Sequence, residues 1–133
     1  MDKTLNLDII TAERVVFKGE VNSVTAPGKL GEFQILYNHA PLVSTLDTGR
    51  IKIVNSSGKE ISFSVSNGIL EVRNNKIIIL ADAIEQKYEI DIGRAEKALG
   101  KAQEIINSES NINKEEELLS IKRAKNRIKL AKS

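Results

Sequence analysis

The chain has 133 residues, of which 29% are charged and 41% hydrophobic, with a formal net charge of +2. This length fits one domain or a domain with an appendage, which excludes a large multi-domain enzyme. With no Cys, one His and no Trp, the chain offers no disulfide, no thiolate or multi-histidine metal site and little base-stacking surface for single-stranded nucleic acid.

Membrane spans and export signals are not expected. No apolar run approaches the roughly 18 residues that a membrane-spanning helix needs. Residues 1–10 lack the basic segment and cleavage site of a secretory signal. We therefore expect a soluble, unprocessed chain.

Up to about Lys87 the sequence has the two-residue period of short strands. In ISFSVS, the residues Ile61, Phe63 and Val65 alternate with serines, which predicts one buried and one solvated face. LNLDI and RIKIV alternate in the same way, and the turn-forming stretches NSSGKE, SNG and RNN separate the strands. KIIILADA is apolar at successive positions, which predicts a strand covered on both sides. Together these signals indicate a small antiparallel sandwich or barrel.

From Asp91 onward the period becomes helical. Asp91 is a candidate N-cap, and the apolar residues that follow are spaced to form one seam on one helix face. The members of this seam are Ile92, Ala95, Leu99, Ala102 and Ile106.

A second helix is predicted after the break NSESNIN. Asn113 and Glu116 have the spacing of a capping box, and residues 115–117 place glutamates where the helix dipole favours anions. Its predicted apolar stripe consists of Leu118, Ile121, Ala124 and Ile128. Two amphipathic helices with a short connection predict an antiparallel hairpin. Because its seam is rich in alanine, we expect a marginal closed form that opens when another surface accepts the stripe.

His39 is a weak candidate for catalysis. It lies in EFQILYNHAPLVSTLDTG, and the sequence supplies neither a Cys nor a Ser-containing nucleophile elbow to accompany it. Asn38 and Pro41 favour a turn that holds the ring at a loop edge. A structural or interface role is the better interpretation.

The basic residues of the helices permit two interpretations. Arg123 and Arg127 share a helix face, as do Arg94 and Lys101. A hairpin folded about Ser110 places Arg94 opposite the region of Arg127, and the three guanidinium groups then suit a phosphate. Alternatively, these cations form an ordinary solvated face with weak ion pairs. Binding of nucleic acid has little support, because no groove-reading motif accompanies the basic helix.

The order of the motifs resembles one family. A strand-rich half with GEFQILYNHAPLVSTLDTG, SNGILEV and IIILADA, followed by EIDIGRAEKAL and a basic KRAKNR helix, resembles the epsilon subunits of bacterial F-type ATP synthases along essentially the whole chain. The resemblance implies an all-β N-terminal sandwich of about ten strands. It also implies a C-terminal antiparallel two-helix hairpin, with residues 1–87 binding the rotor and residues 88–133 regulatory.

The resemblance implies a non-catalytic subunit of the central stalk of a proton- or sodium-translocating ATP synthase. Its expected partners are the gamma subunit, the c ring and the catalytic alpha and beta subunits. The isolated chain is expected to be a monomer that associates peripherally with the cytoplasmic side of a bacterial plasma membrane, with a thylakoid membrane as the less favoured location. Its helices are expected to switch between a folded form and an extended form that inhibits ATP hydrolysis.

The resemblance also implies site residues. The family's rotor-facing loop corresponds to residues 31–41, with Glu32 facing the c ring and His39 near gamma. The chain has Gly31-Glu32-Phe33-Gln34 and Tyr37-Asn38-His39 where the family has Gly-Glu-Leu-Gly and Pro-Gly-His, and Asn38 is expected to replace Gly at positive φ.

ATP is the implied regulatory ligand, and no obligatory cofactor, metal or catalytic residue is expected. In ATP-binding members an Ile/Leu-Asp-x-x-Arg-Ala motif and second-helix arginines hold the nucleotide. The matching residues here are Glu85, Ile90, Asp91, Arg94, Ala95, Arg123 and Arg127, and Lys101 takes the place of an Arg. That replacement removes a fork-shaped donor. The alternative is a purely structural stalk adaptor, in which Asp91 serves only as a cap.

Overall fold

The computed structural model describes residues 3–86, 89–107 and 114–132. The chain forms two compact units, Met1–Gln86 and Lys87–Ser133. The boundary expected after residue 87 falls beside this division, and Lys87 itself lies outside the described residues. Strands occupy the described part of the first unit and two helices that of the second. The predicted fold class, a sandwich followed by a helical hairpin, is confirmed.

The described residues of the first unit form nine strands. They are β1 (Leu5–Ile10), β2 (Val15–Gly28), β3 (Gly31–Ile35), β4 (Leu42–Leu46), β5 (Gly49–Asn55), β6 (Glu60–Val65), β7 (Gly68–Arg73), β8 (Lys76–Ala81) and β9 (Ile84–Gln86). Pairing is antiparallel except between β1 and β8, which run parallel.

The 14-residue β2 joins the two layers of the sandwich. Its first half pairs with β1, which continues through β8 and β7 to β4. Its second half pairs with β3 and β5, and β5 continues through β6 to β9. The register shifts between Val21 and Ser23 on the β5 side, where the strand passes from one layer to the other. Irregularities of this kind bend a strand and increase its twist.

The core of the sandwich is aliphatic. Leu5, Leu7 and Ile9 of β1 are fully buried, and most inward residues of the other strands are buried with them. The largest fully buried side chain, Phe63, meets Phe17 edge-on with ring centroids 6.5 Å apart. With few aromatic residues, the chain fills its core with branched aliphatic side chains, which suit a pleated surface.

The serine face of β6 differs from the prediction. Ser64 and Ser66 are buried, although alternation in ISFSVS predicted a solvated face. Ser64 pairs with Arg50 of β5 on one side and with Glu85 of β9 on the other. A small side chain flanked by two long ones keeps little exposed area, which accounts for Ser64; the prediction was also wrong at Ser66, which follows the strand.

The prediction for β8 was also wrong. Ile77 and Ile79 are fully buried, but Leu80 is 53% exposed and Ile78 is partly exposed. Within the first unit, β8 therefore has one buried face and one open face. The open face is apolar, which is unusual for a strand surface in water.

The second unit contains α1 (Ile92–Asn107) and α2 (Lys114–Lys132). Lys132 Nζ lies 3.2 Å from Glu96 Oε1, which places the first turns of α1 beside the last turn of α2. The hairpin is therefore antiparallel, as predicted. Ala95 and Ala102 are buried in the predicted α1 seam, with Ile92 and Leu99 partly buried. The side chain of Ile106 and the predicted cap Asn113 lie outside the described residues.

The apolar stripe predicted for α2 is partly wrong. Ala124 is buried, but Leu118 is 57% exposed, and Leu130, which was not predicted, is buried. Leu118 shares its helix face with a set of exposed lysines spaced three or four residues apart. This lysine stripe consists of Lys122, Lys125, Lys129 and Lys132.

Within residues 89–107 and 114–132, neither helix combines the length and apolar character that crossing a bilayer requires.

Candidate functional site

The sandwich carries a continuous apolar surface on the outside of β2, β1, β8, β7 and β4. Ile69 pairs with Leu80, Leu80 with Ile10, and Ile10 with Val15, so one row of apolar side chains crosses four strands. Val43 lies on the neighbouring row and is 69% exposed. We call these five residues the apolar face. Contiguous exposed apolar surface of this kind marks protein interaction sites.

The same outer surface becomes polar toward the β7–β8 turn. Asn6 pairs with Lys76, and Lys76 with Arg73, in a row that parallels the apolar one. Glu71 lies between the rows and pairs with Val43. An apolar centre with a polar margin is the usual composition of a protein interface.

The residues expected to form one rotor-facing loop are divided between a strand and a turn. Glu32 is exposed within β3, whereas His39 follows that strand in the segment that leads to β4. The expectation of a single loop over residues 31–41 was therefore wrong, because residues 31–35 pair with β2. Glu32 therefore belongs to the paired strand and His39 to the irregular segment that follows it.

The turn before His39 contains the expected left-handed residue. Asn38 has φ 65°, and the His39 backbone N–H donates to the Leu36 carbonyl at 3.1 Å. Positive φ at the third position alone is typical of a type II turn, which accepts Gly or Asn there. The expectation that Asn38 replaces Gly at positive φ is confirmed.

His39 is oriented by its own backbone segment. Its Nδ1 lies 2.7 Å from the Ala40 carbonyl oxygen, and because a carbonyl only accepts, Nδ1 carries the proton. The ring is partly exposed. No cluster of three or more His, Asp or Glu side chains suited to a metal occurs in the described portion of the chain. The His39 ring is therefore held in one orientation at the surface, where a partner can contact it.

In the hairpin, Asp91 is the N-cap of α1. Its Oδ1 accepts the Arg94 backbone N–H at 3.0 Å, and its carbonyl accepts the Ala95 N–H at 3.0 Å. Ile90 and Ala95 on either side are buried, whereas Asp91 and Arg94 are exposed. The Ile-Asp-x-x-Arg-Ala motif thus supplies two packing residues, one cap and one exposed guanidinium.

Asp91→Ala is expected to destabilise the start of α1 by about 1 kcal/mol, because one backbone N–H loses its acceptor. Amide hydrogen exchange in the first turn of α1 should then be about fivefold faster. Asp91→Asn keeps a capping oxygen and serves as the control, with exchange close to that of the natural chain. Equal exchange in Asp91→Ala would show that the cap contributes nothing.

The second-helix arginines are partly buried, unlike the lysine stripe. Arg123 has its Nε buried, with no hydrogen-bond partner in the described part of the chain. Arg127 is partly buried and has a partner. A buried guanidinium nitrogen without an acceptor is costly and uncommon.

The other predicted ligand residues are distributed along the hairpin and beyond it. The ion pair of Glu96 with Lys132 puts Arg94 level with the end of α2, and Arg127 lies five residues, about 8 Å, before Lys132. Arg94 is therefore displaced along the axis from the predicted position opposite Arg127. Lys101 is exposed on α1, and Glu85 belongs to β9 of the other unit.

Sequence reasoning missed two features of these surfaces. It did not find the apolar face, because the apolar run in KIIILADA predicts a strand covered on both sides within the chain. It also did not find a link between Asn38 and the β7–β8 turn, where the Asn38 backbone N–H donates to Asn75 Oδ1 at 2.6 Å. The RNN turn signal was recognised, but its partner lies 37 residues away.

The chain matches two family descriptions. Residues 4–87 match "ATP synthase, Delta/Epsilon chain, beta-sandwich domain" and residues 89–132 match "ATP synthase, Delta/Epsilon chain, long alpha-helix domain". It is 43% identical to the ATP synthase epsilon chain of Desulforamulus reducens, covering 98% of this chain and 99% of that relative. It is 40% identical to the epsilon chain of Clostridium kluyveri, covering 99% and 100%.

Two solved structures share the fold. A chain of the Euglena gracilis mitochondrial ATP synthase OSCP/F1/c-ring structure aligns with a TM-score of 0.84 and 19% identity, over 95% of this chain and 80% of that one. A chain of the Tetrahymena thermophila mitochondrial ATP synthase central stalk/c-ring structure aligns with a TM-score of 0.67 and 14% identity, over 96% of each. At these identities the likeness concerns the fold alone.

Proposed function

The chain belongs to the ATP synthase delta/epsilon chain family, and from that premise we propose that its sandwich binds the rotor and its hairpin regulates ATP hydrolysis. It is an epsilon-type, non-catalytic subunit of the central stalk. The proposed partners are the gamma subunit and c ring for the sandwich, and the alpha and beta subunits for the hairpin. The two structural neighbours, which belong to an F1/c-ring assembly and a central-stalk/c-ring assembly, support this choice.

The apolar face is the observation that carries the proposal. Its residues come from β1, β2, β4, β7 and β8, so the surface belongs to the rigid sheet and needs no rearrangement before binding. Leaving side chains such as Leu80 and Val43 exposed is unfavourable in a free chain and favourable once a partner covers them. We assign the gamma subunit as that partner.

The segment 36–41 and Glu32 provide further contacts. Leu36 and Tyr37 are exposed at the turn, next to the oriented ring of His39. Glu32 is exposed near the other end of β3. We assign His39 to the gamma contact and Glu32 to the c ring, since the two residues lie on different elements, the segment after β3 and β3 itself.

Membrane association follows from these contacts. The c ring is the membrane part of the complex, so a chain bound to it lies peripherally at the membrane surface. We place the chain on the cytoplasmic side of a bacterial plasma membrane, in keeping with the bacterial relatives.

The hairpin is proposed to bind ATP in its folded form. The Nε of Arg123, which has no acceptor among the described residues, fits an anionic ligand, since a phosphate oxygen would accept its hydrogen. Arg127, Arg94 and Lys101 add positive charge along the same helix pair. Ile90 and Ala95 would hold the motif by packing, and Asp91 by capping.

Ligand binding would regulate the hairpin by mass action. The buried residues of α1 and α2 include Ala95, Ala102 and Ala124, whose small side chains bury little apolar area. A ligand that binds only the folded form stabilises it by about 2.7 kcal/mol at about a hundredfold excess over Kd. Abundant ATP would therefore keep the helices folded, and scarce ATP would release them.

Released helices would inhibit hydrolysis through their charge. The lysine stripe is exposed along α2 and suits an acidic surface on a catalytic subunit. Such a contact would weaken with salt, because exposed charges are screened.

A second candidate is a structural stalk adaptor without nucleotide sensing. The cap geometry of Asp91 favours it, because the hydrogen bond to Arg94 N–H accounts for this residue without any ligand. The adaptor shares the rotor contact with the first proposal and differs only in the hairpin.

Two measurements test the proposal. A tagged copy of the chain should copurify with the gamma subunit and c ring from membranes, and a chain absent from that assembly would overturn the rotor assignment. Calorimetric titration of ATP into the isolated chain should then release heat that saturates. No heat at millimolar ATP would reject sensing and leave the adaptor.

A further inference from the structure

We propose that Asn75 is a positioning residue that locks the turn of residues 36–39 in the conformation that the rotor partner recognises. This inference rests on the proposed function, since it concerns the contact assigned to His39. Asn75 lies in the β7–β8 turn, 37 residues from Asn38 in the chain. Its role comes from side-chain hydrogen bonds that reach across to the other turn.

The link between the two turns is reciprocal. The Asn38 backbone N–H donates to Asn75 Oδ1 at 2.6 Å, and Asn75 Nδ2 donates to Asn38 Oδ1 at 3.1 Å. One amide thus engages both the main chain and the side chain of Asn38, which fixes the orientation of each amide group. We call this pair the asparagine clamp.

The clamp is anchored at its Asn75 end. Arg73 pairs with Lys76, so Asn74 and Asn75 form a two-residue hairpin turn, and both have positive φ, 50° and 60°. That combination is the type I′ turn preferred between twisted strands. The Asn75 carbonyl also accepts the backbone N–H of Asn6 at 2.9 Å, which ties the turn to the start of β1. Asn75 therefore joins three segments of the sandwich.

The opposite end of the clamp carries the exposed contact groups. Without the clamp, the turn of residues 36–39 would retain the hydrogen bond from the His39 N–H to the Leu36 carbonyl. Tyr37 and Leu36 are 41% and 53% exposed there, so packing within the chain covers them only in part. A turn that is held in one conformation loses less entropy on binding, so the clamp increases affinity by pre-organisation.

The chain offers a matched pair of variants. Asn75→Gly removes the clamping amide and leaves a residue that accepts φ 60° readily. Asn74→Gly makes the same change one position earlier, at φ 50°, and leaves the clamp intact. Asn75→Asp keeps an oxygen for the Asn38 N–H and serves as the conservative rescue.

The first measurement is hydrogen exchange of the Asn38 amide in the full chain. We expect exchange about tenfold faster in Asn75→Gly, unchanged in Asn74→Gly and largely restored in Asn75→Asp, because one good hydrogen bond is worth about that factor. Equal protection in all four proteins would overturn the clamp.

The second measurement is binding of the same proteins to the gamma subunit with its c ring. We expect Asn75→Gly to bind about tenfold more weakly than Asn74→Gly, with similar thermal unfolding. Faster exchange with unchanged binding would overturn the positioning role. If the natural chain itself did not bind, the proposed function would fail and the inference with it, and the exchange experiment would still show whether the clamp exists.

Discussion

Leu80→Glu is expected to weaken binding to the gamma subunit by at least about a hundredfold while the sandwich stays folded. In the free chain the side chain at this position is 53% exposed, so a carboxylate there keeps most of its water. In the complex that carboxylate would be covered by apolar surface without a partner, which costs several kcal/mol. The affinity for the gamma subunit should therefore fall, while the thermal unfolding temperature stays close to that of the natural chain.

Leu118→Glu is the matched control for this experiment. Leu118 is 57% exposed on α2, so the substitution and the exposure are nearly the same, but the residue lies outside the apolar face. Binding of each variant to purified gamma subunit is measured by calorimetry, and unfolding by circular dichroism. If Leu80→Glu bound as tightly as Leu118→Glu, the apolar face would not be the gamma contact.

Arg123→Ala is expected to lower the affinity of the isolated chain for ATP by about thirtyfold. The loss of a charge-assisted hydrogen bond to phosphate accounts for about 2 kcal/mol. Arg123→Lys should have a smaller effect, because it keeps the charge but not the planar fork. ATP should also slow amide exchange in α1 and α2 of the natural chain and fail to do so in Arg123→Ala at the same concentration.

Lys125→Ala is the control for net charge. It removes one cation from the same helix at an exposed position of the lysine stripe, and affinity should change by less than about twofold. Calorimetric titration of the three variants beside the natural chain gives the comparison. An affinity in Arg123→Ala equal to that of the natural chain would show that ATP, if bound, does not use this guanidinium.

Local features of the chain were predictable because they depend on near neighbours. The change from a two-residue to a helical period located the sandwich and the hairpin, and Asp91 was recognised as a cap from its place before the seam. Asn38 was expected at positive φ because its short polar side chain tolerates the left-handed region. Each of these properties is encoded within a few residues.

The wrong predictions about burial share one cause, which is that burial depends on what lies beside a residue in space. KIIILADA indicated a strand covered on both sides, but only one of its faces is covered within the first unit. Ser64 appeared solvated until β5 and β9 were seen on either side of it. Leu118 has the spacing of the apolar stripe predicted for α2, but in the hairpin it is 57% exposed on the face of the lysine stripe.

By itself, the sequence determined that a strand-rich half precedes two helices, and it determined several turn residues and the helix cap, because hydrogen bonding and side-chain periodicity act over short separations. Only the tertiary structure decided which apolar residues remain open on the sheet, that Arg123 Nε has no acceptor among the described residues, and that Asn75 holds Asn38. Those properties arise where segments distant in the chain meet, and no short stretch of residues determines which segments will be in contact.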